Sequence, residues 1–158
     1  MVDKLETQFK IRKATSLDID VLAIFSLAVI KEGDGVSIPS EHVKPGIEAV
    51  LKDESKGFYL VATEQGQPQP IGCLMITFEW SDVNNGFYWW IQSVYVDPKW
   101  RRRGVYSALH NHVASLARSS TNVSRLKLYV HGTNTSAQAT YLSMGMTEAP
   151  HKIFELYL

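Results

Sequence analysis

The chain has 158 residues, of which 45% are hydrophobic, and this size and composition predict one compact domain with a core of its own. Its 16 acidic residues balance its 16 basic residues, which argues against binding to nucleic acid or to an anionic membrane and favours a small-molecule partner. No apolar run reaches the roughly 18 residues of a membrane span, and residues 1–6 do not resemble a signal sequence, so we expect a cytoplasmic protein.

The first half of the chain predicts one strand followed by two helices. Alternating apolar and polar residues predict a strand over residues 9–13, and Ser16 offers an N-cap for a helix that ends near Gly33. The polar segment that follows is predicted to be the most mobile loop. Pro45 is expected in the first turn of a second helix, which stops before Gly57.

The second half predicts a three-stranded antiparallel meander and then a β-α-β unit. The single cysteine, Cys73, lies in an apolar run of this half, which favours a buried core thiol over a nucleophile. The expected strands cover residues 58–63, 71–80, 87–96, 126–131 and 153–158, and the expected helices follow Pro98 and cover residues 135–144. This order predicts a mixed α/β sheet flanked by helices.

The stretch from Val94 to Ser107 has the features of a phosphate-binding turn. A strand, the breaker Asp97-Pro98, three arginines, Gly104 and a helix start follow one another. A helix that begins here leaves its first N–H groups unpaired, and these can form a concave nest for a diphosphate. Taken alone, the stretch also fits an ordinary solvated basic turn.

A second stretch, residues 134–146, combines a possible helix cap with two residues on one helix face. Asn134 follows a strand, and Ala137 and Tyr141 are one helical turn apart, so they share a face before Gly145 closes the helix. A small residue at 137 leaves room for a ligand beside the phenol. Asn134 is equally well suited to be only a helix cap.

These two stretches together resemble the motifs of the GNAT superfamily of acetyl-coenzyme A-dependent N-acetyltransferases. The first family motif reads Arg or Gln, two residues, Gly, one residue, and Gly or Ala; Arg101 and Gly104 match it, whereas Tyr106 takes the last small position. The second motif matches except that Met146 replaces the usual Phe. The resemblance covers about residues 58–157 and implies the GNAT fold, a largely antiparallel mixed sheet of six to seven strands with about four helices.

The resemblance implies that acetyl-coenzyme A binds along the strand and turn. Main-chain groups of the strand would pair with the pantetheine amides, and one of its N–H groups would stabilise the thioester oxyanion. Such binding leaves the side chains of Val94 and Val96 free to pack in the core. The implied cofactor-binding residues are Val94, Tyr95, Val96, Arg101, Arg102, Arg103, Gly104, Val105, Tyr106, Ser107, Asn134, Ala137 and Tyr141.

By the same resemblance, Tyr141 is the expected catalytic acid. A phenol with a pKa of about 10 is protonated at neutral pH and can donate to the departing coenzyme A thiolate. A core tyrosine on an amphipathic helix is the alternative interpretation. His110 and His112, on the helix after the turn, are interpreted as surface or packing residues.

The base that activates the acceptor amine is not identified by the resemblance. Many similar enzymes have an acid on the central strand at the position of Gln92, which cannot take a proton. The candidates left open are Glu79, His131 and a water held by Gln92. The predicted acceptor-binding residues are Glu32, Glu79, Trp90, Gln92 and His131, with Trp90 and Gln92 on one face of the strand.

The sequence thus favours an enzyme that transfers an acetyl group directly from acetyl-coenzyme A to a primary amine, with no metal. One alternative is a non-catalytic acyl-coenzyme A sensor of the same fold, which Gln92 supports. A nucleic-acid contact through the three arginines is disfavoured because the chain carries no net charge. Analogy with similar proteins suggests a homodimer.

Overall fold

The fold is known from a computed structural model that describes residues 8–158. Residues 1–6, on which the expectation of no signal sequence rests, lie outside this range. The strands are β1 (Phe9–Lys13), β2 (Phe58–Glu64), β3 (Pro70–Ser81), β4 (Gly86–Val96) and β5 (Val123–Leu128). The α-helices are α1 (Ile19–Asp34), α2 (Ser40–Lys52), α3 (Val105–Ser119) and α4 (Thr135–Ser143).

The five strands form one sheet in the order β1-β2-β3-β4-β5. The first four are antiparallel neighbours, and β5 is parallel to β4 because α3 crosses over between them. The predicted mixed sheet flanked by helices is confirmed, with five strands rather than six to seven in residues 8–158. No helix of this described part is both long and apolar enough to cross a membrane.

The two faces of the sheet bury different helices. One face packs on α3 through a core that includes Leu60, Leu74 and Leu109, each fully buried. The other face packs on α1 and α2, where Leu22 is also fully buried. Cys73 belongs to this second core and burial raises the pKa of its thiol to about 12, so the predicted inert core cysteine is confirmed.

Three predicted boundaries are wrong. Helix α2 begins at Ser40, after the extended residue Pro39, so Pro45 lies inside the helix rather than in its first turn. Strand β5 covers Val123–Leu128 instead of residues 126–131, because the chain turns away from β4 after Leu128.

The third wrong boundary is the C-terminal strand expected over residues 153–158. This segment has no strand partner among the described residues, and its apolar side chains are largely exposed. An apolar pattern favours a strand only where a neighbouring strand completes its hydrogen bonds, which the sequence pattern alone does not supply.

The start of α1 is fixed by a half-buried ion pair. The guanidinium of Arg12 donates two hydrogen bonds, of 2.7 and 2.9 Å, to the carboxylate of Asp18, which also accepts from the N–H of Thr15 at 2.8 Å. Chiefly through the Arg12 hydrogen bonds, the folded protein holds the pKa of Asp18 below its ordinary value. Asp18 therefore links β1 to the start of α1 through hydrogen bonds.

Replacing Asp18 with Asn is expected to lower the free energy of unfolding at pH 7 by about 1–3 kcal/mol, because charge-assisted hydrogen bonds are lost. Since the folded-state pKa is depressed, the contribution of Asp18 is complete above the unfolded pKa of about 4 and is lost as pH falls through the folded value. Urea unfolding at pH 7 and pH 3 measures this. The exposed pair Asp20–Lys44 is the control, and Asp20→Asn should cost under about 0.5 kcal/mol. A loss from Asp18→Asn that is equal at both pH values would contradict the prediction.

Candidate active site

Strands β4 and β5 run side by side along only half of β4. Their parallel ladder ends where Ile91 pairs with Leu128. Beyond that point Gln92–Val96 stays bonded to β3 but has no strand partner on its other edge in residues 8–158. We call this open edge of Gln92–Val96 the strand gap. It presents main-chain groups to which an extended ligand can bond as an added strand would.

A β-bulge marks the start of the strand gap. The register of β3 against β4 shifts between Cys73 and Met75, so that Ser93 and Val94 together face one residue of β3. Ser93 has a φ of 50°, in the left-handed region that non-glycine residues seldom adopt. Bulges bend the strand that carries them. The bend accounts for the separation of β4 from β5.

The turn that follows β4 has an unusual backbone. Asp97 caps a short 3-10 turn, and its Oδ1 accepts from the N–H of Lys99 at 2.8 Å. Arg102 and Gly104 have φ angles of 61° and 87°. Glycine takes a positive φ freely, whereas Arg102 does so at a cost in strain. Left-handed residues in such a turn direct successive N–H groups to one side and form a nest for an anion.

Helix α3 begins at this turn with unpaired donors. Its first hydrogen bond runs from the N–H of Ala108 to the C=O of Gly104 at 2.9 Å. The N–H groups of Val105, Tyr106 and Ser107 precede this ladder and have no backbone acceptor within residues 8–158. The positive end of the helix dipole adds to them, so the turn and helix start have the chemistry of a phosphate site.

Arg101 holds the turn against helix α1. Its guanidinium donates two hydrogen bonds, of 2.8 and 2.9 Å, to the carboxylate of Glu32, and its Nε donates to the C=O of Val96 at 2.9 Å. It also lies 5.5 Å from the ring centre of Tyr95, which packs on Phe25. Glu32, predicted to line the acceptor site, is thus paired with a cation of the turn.

The other two arginines of the turn are exposed to solvent. The guanidinium of Arg103 lies 5.2 Å from the ring centre of Trp100, and Arg102 projects from its left-handed backbone. Neither is within 4 Å of a carboxylate of the described residues, so both are available to pair with an anionic ligand.

Helix α4 carries the second motif and approaches the start of α3. The Oδ1 of Asn134 caps it by accepting from the N–H of Ala137 at 3.1 Å. Gly145, with a φ of 84°, follows its end, as the sequence predicts. The ring of Tyr141 lies edge-on to the ring of Tyr106, with 5.7 Å between ring centres. The phenol of Tyr141 is therefore close to the helix start that bears the free N–H donors.

Tyr106, His110 and Tyr141 form a largely buried polar cluster beside the turn. The ring centres of Tyr106 and His110 are 5.9 Å apart, and the hydroxyl of Tyr106 and both ring nitrogens of His110 are buried with no hydrogen-bond partner in residues 8–158. Burial raises the pKa of Tyr141 and of Tyr106, and it lowers the pKa of His110. Both phenols and a neutral imidazole are thus favoured near neutral pH.

Another polar and aromatic surface lies on the face of the sheet that α1 and α2 cover only in part. We call it the open face. Its members come from neighbouring positions of β3, β4 and β5: Thr77, Glu79, Tyr88, Trp90, Gln92, Arg125, Lys127 and Tyr129. Trp90 and Gln92 share this face, as the sequence predicts, whereas Trp89 points the opposite way into the core beneath α3.

Glu79 is the acid among these open-face residues, and two side chains of the same face donate to it. Its carboxylate accepts from the indole Nε1 of Trp90 at 2.6 Å and from the ammonium of Lys127 at 3.0 Å. These hydrogen bonds, with that of Trp90 the strongest, lower the pKa of Glu79. A carboxylate with a lowered pKa is a weaker base, so the geometry favours a binding role over proton abstraction.

Of the remaining predicted acceptor residues, Gln92 is the first residue of the strand gap and His131 follows β5. The side-chain amide of Gln92 donates to the Oγ1 of Thr77 at 2.5 Å. His131 lies in the turn after β5, where its Nδ1 is 2.8 Å from the Oγ1 of Thr133. The structure therefore brings Glu79, Trp90 and Gln92 onto one face, and it places Glu32 beside the turn instead.

Sequence reasoning missed several members of these clusters. The partnership of His110 with Tyr106 was detectable, because residues four apart share a helix face. The cations Arg125 and Lys127 and the ring of Tyr129 were not, because their place beside Trp90 depends on the register of β5 against β4. Within residues 8–158 no group of three or more His, Cys, Asp or Glu side chains could hold a metal ion.

The chain matches the family model described as the acetyltransferase (GNAT) family over residues 22–146. No curated protein sequence is significantly similar to it. The crystal structure of a possible acetyltransferase from Clostridium difficile 630 is similar, with 36% sequence identity and a TM-score of 0.88, over 96% of this chain and 98% of that one.

Two more distant structures share the fold. A predicted acetyltransferase from Clostridium acetobutylicum, solved with acetyl-coenzyme A, has 18% identity and a TM-score of 0.74, over 94% of this chain and 96% of that one. An aminoglycoside acetyltransferase from an uncultured soil metagenomic sample, solved with sisomicin, has 17% identity and a TM-score of 0.75, over 98% of each chain.

Proposed function

Because the chain belongs to the GNAT family of acetyltransferases, we propose that it transfers an acetyl group from acetyl-coenzyme A to the primary amine of a small-molecule acceptor. The observation that carries this proposal is the continuity of three features: the strand gap, the unpaired N–H groups that begin α3, and the phenol of Tyr141 next to that helix start. In this proposal the strand gap binds the pantetheine arm, the N–H groups bind the diphosphate, and the phenol gives a proton to the leaving thiolate.

The residues present fit acetyl-coenzyme A. The turn after β4 offers N–H donors and the charges of Arg102 and Arg103 to a diphosphate. The strand gap offers main-chain groups to the amides of the pantetheine arm, as in β-strand addition. The side chains of Val94 and Val96 meanwhile pack in the core beneath α3, so main-chain binding and packing are compatible.

In this proposal the amine nitrogen attacks the thioester carbonyl carbon, the carbon–sulfur bond breaks, and the leaving thiolate takes a proton from Tyr141. The proton that the nitrogen loses as the amide forms passes to water, and a proton from water restores the phenol of Tyr141. In the same proposal, a main-chain N–H of the strand gap stabilises negative charge on the carbonyl oxygen. Burial keeps Tyr141 protonated, so it can donate at neutral pH. The products are the acetylated amine and free coenzyme A.

The attacking amine must first lose a proton. An alkyl ammonium with a pKa of about 10.4 costs about 4.6 kcal/mol to deprotonate at pH 7. Gln92 cannot accept that proton and Glu79 is already paired, so we assign the relay to water held beside the amide of Gln92. Such a relay passes the proton to solvent through the open face. His131, whose Nδ1 is bonded to Thr133 in the turn after β5, is the alternative proton acceptor.

An acyl-coenzyme A sensor without catalysis is the second candidate. Gln92 and Glu79 favour it, because Gln92 cannot take a proton and Glu79 is bonded to Trp90 and Lys127. The open face therefore offers no unpaired carboxylate in the described residues. A sensor would bind acetyl-coenzyme A in the same turn and strand gap without consuming it.

The deciding experiment combines binding and turnover. Isothermal titration calorimetry is expected to show that acetyl-coenzyme A binds, and thiol detection should show coenzyme A release that depends on an added primary amine. Mass spectrometry of the product should show the gain of one acetyl group. Binding without turnover on any amine would favour the sensor, and absence of binding would contradict both functions.

A further inference from the structure

We propose that the acceptor is an amine whose planar body also carries a carboxylate, and that it binds on the open face with the carboxylate towards Arg125 and Lys127. This inference rests on the proposed acetyltransferase function and names the substrate class of that site. It follows from the paired acids, the excess positive charge and the stacked aromatic rings of the open face.

The first observation is that the two acids predicted to bind the acceptor, Glu79 and Glu32, are already paired with cations. Glu79 is paired with Lys127 at 3.0 Å, and Glu32 is paired twice with Arg101. A polycationic amine would need unpaired carboxylates to replace its hydration. Both acids among the predicted acceptor-binding residues are therefore already paired with a cation of the chain itself.

The second observation is that the open face carries an excess of positive charge. Lys127 and Arg125 alternate along β5, and both lie over the ring of Tyr88, at 4.1 and 5.1 Å from its centre. Glu79 neutralises one of the two. The side chain of Lys127 is 28% exposed and Arg125 is exposed, so both are accessible to a carboxylate.

The third observation is a pair of stacked aromatic rings, Trp90 and Tyr129, between these cations and the strand gap. The rings of Trp90 and Tyr129 are stacked with 4.3 Å between centres, and Tyr129, which directly follows β5, is 59% exposed. Gln92 lies two residues beyond Trp90, about 7 Å along the strand at normal spacing. An aromatic ring placed on Tyr129 would therefore separate an amine near Gln92 from a carboxylate near Lys127.

Two simple aromatic amines, compared with spermidine, test the proposed substrate class. 4-(Aminomethyl)benzoate and 4-methylbenzylamine differ only in that the first has a carboxylate where the second has a methyl group, and spermidine represents polycations. We expect kcat/KM with acetyl-coenzyme A to be at least about tenfold higher for the carboxylate, the effect of one charge-assisted hydrogen bond. Spermidine is expected to be the poorest of the three.

Variants of the two cations identify the cause. Lys127→Met and Arg125→Gln should each lower the ratio of kcat/KM for the carboxylate to kcat/KM for 4-methylbenzylamine, and the double variant should bring this ratio to about one. Lys127→Met also frees Glu79, so its activity with spermidine should rise. Lys52→Met, which removes an exposed charge on α2, is the control and should leave the preference unchanged. Thermal unfolding checks that each variant is folded.

The outcomes separate this inference from the proposed function. Equal rates with both aromatic amines, or a preference for spermidine, would overturn the inference and leave the acetyltransferase intact. If neither aromatic amine reacts, calorimetry with the protein–coenzyme A complex decides: binding of the carboxylate alone supports the inference, and binding of neither overturns it. Failure of acetyl-coenzyme A itself to bind would overturn both.

Discussion

Replacing Tyr141 with Phe is expected to lower kcat for acetyl transfer by about a hundredfold to ten-thousandfold, the usual contribution of a positioned general acid. The phenylalanine ring retains the edge-on contact with Tyr106, so the helix start and the affinity for acetyl-coenzyme A should be unchanged. The change deletes the proton that the departing thiolate would receive. Steady-state kinetics and calorimetry measure the two quantities separately.

The neighbouring phenol provides the control for this prediction. The hydroxyl of Tyr106 is buried without a hydrogen-bond partner in the described residues, so Tyr106→Phe should change kcat little. A large loss in Tyr106→Phe with none in Tyr141→Phe would move the acid to Tyr106. Tyr157→Phe, in the exposed C-terminal segment, should have no effect. Full activity of Tyr141→Phe with a competent amine would refute the acid role.

Replacing Ser107 with Pro is expected to weaken acetyl-coenzyme A binding by about tenfold to a hundredfold. Ser107 lies in the first turn of α3, where proline is tolerated because the N–H it lacks has no helical acceptor. The substitution therefore removes one N–H donor of the proposed diphosphate site. It also removes the hydroxyl and restricts the backbone of Tyr106. A charge-assisted hydrogen bond of about 1.5–3 kcal/mol corresponds to the expected loss of affinity.

Ser107→Ala is the matched control, because it removes the hydroxyl and keeps the N–H. Its affinity for acetyl-coenzyme A should stay within about threefold of the unmodified protein if the main chain is what binds. Circular dichroism should show equal helix content in both variants. Equal affinities for the Pro and Ala variants would show that this N–H does not contact the ligand.

Local patterns account for what the sequence predicted well. The N–H donors at the start of α3 follow from any helix that begins after a strand and a breaker, and Gly104 marks a backbone that needs a positive φ. The face shared by Ala137 and Tyr141 follows from helical spacing alone. These features depend on residues within a few positions of one another, so the sequence states them directly.

Boundaries that depend on distant partners were predicted less well. Proline favours the first turn of a helix, yet α2 begins five residues before Pro45 and packs on α1 through residues such as Ile47. The apolar residues 153–158 have the composition of a strand and form none in the described structure. In both cases tertiary contacts decided the outcome against local preference.

The sequence by itself determined the family, the mixed fold, the basic turn after β4 and the placement of Tyr141 on its helix. Only the tertiary structure decided which acids are paired: Glu32 is paired with Arg101, 69 residues away, and Glu79 with Lys127, 48 residues away. It also decided where β4 parts from β5, and therefore where a ligand can enter the sheet. The physical reason is that ion pairing and strand register act across space between segments far apart in the chain, and a one-residue slip in either strand would place different side chains on the open face.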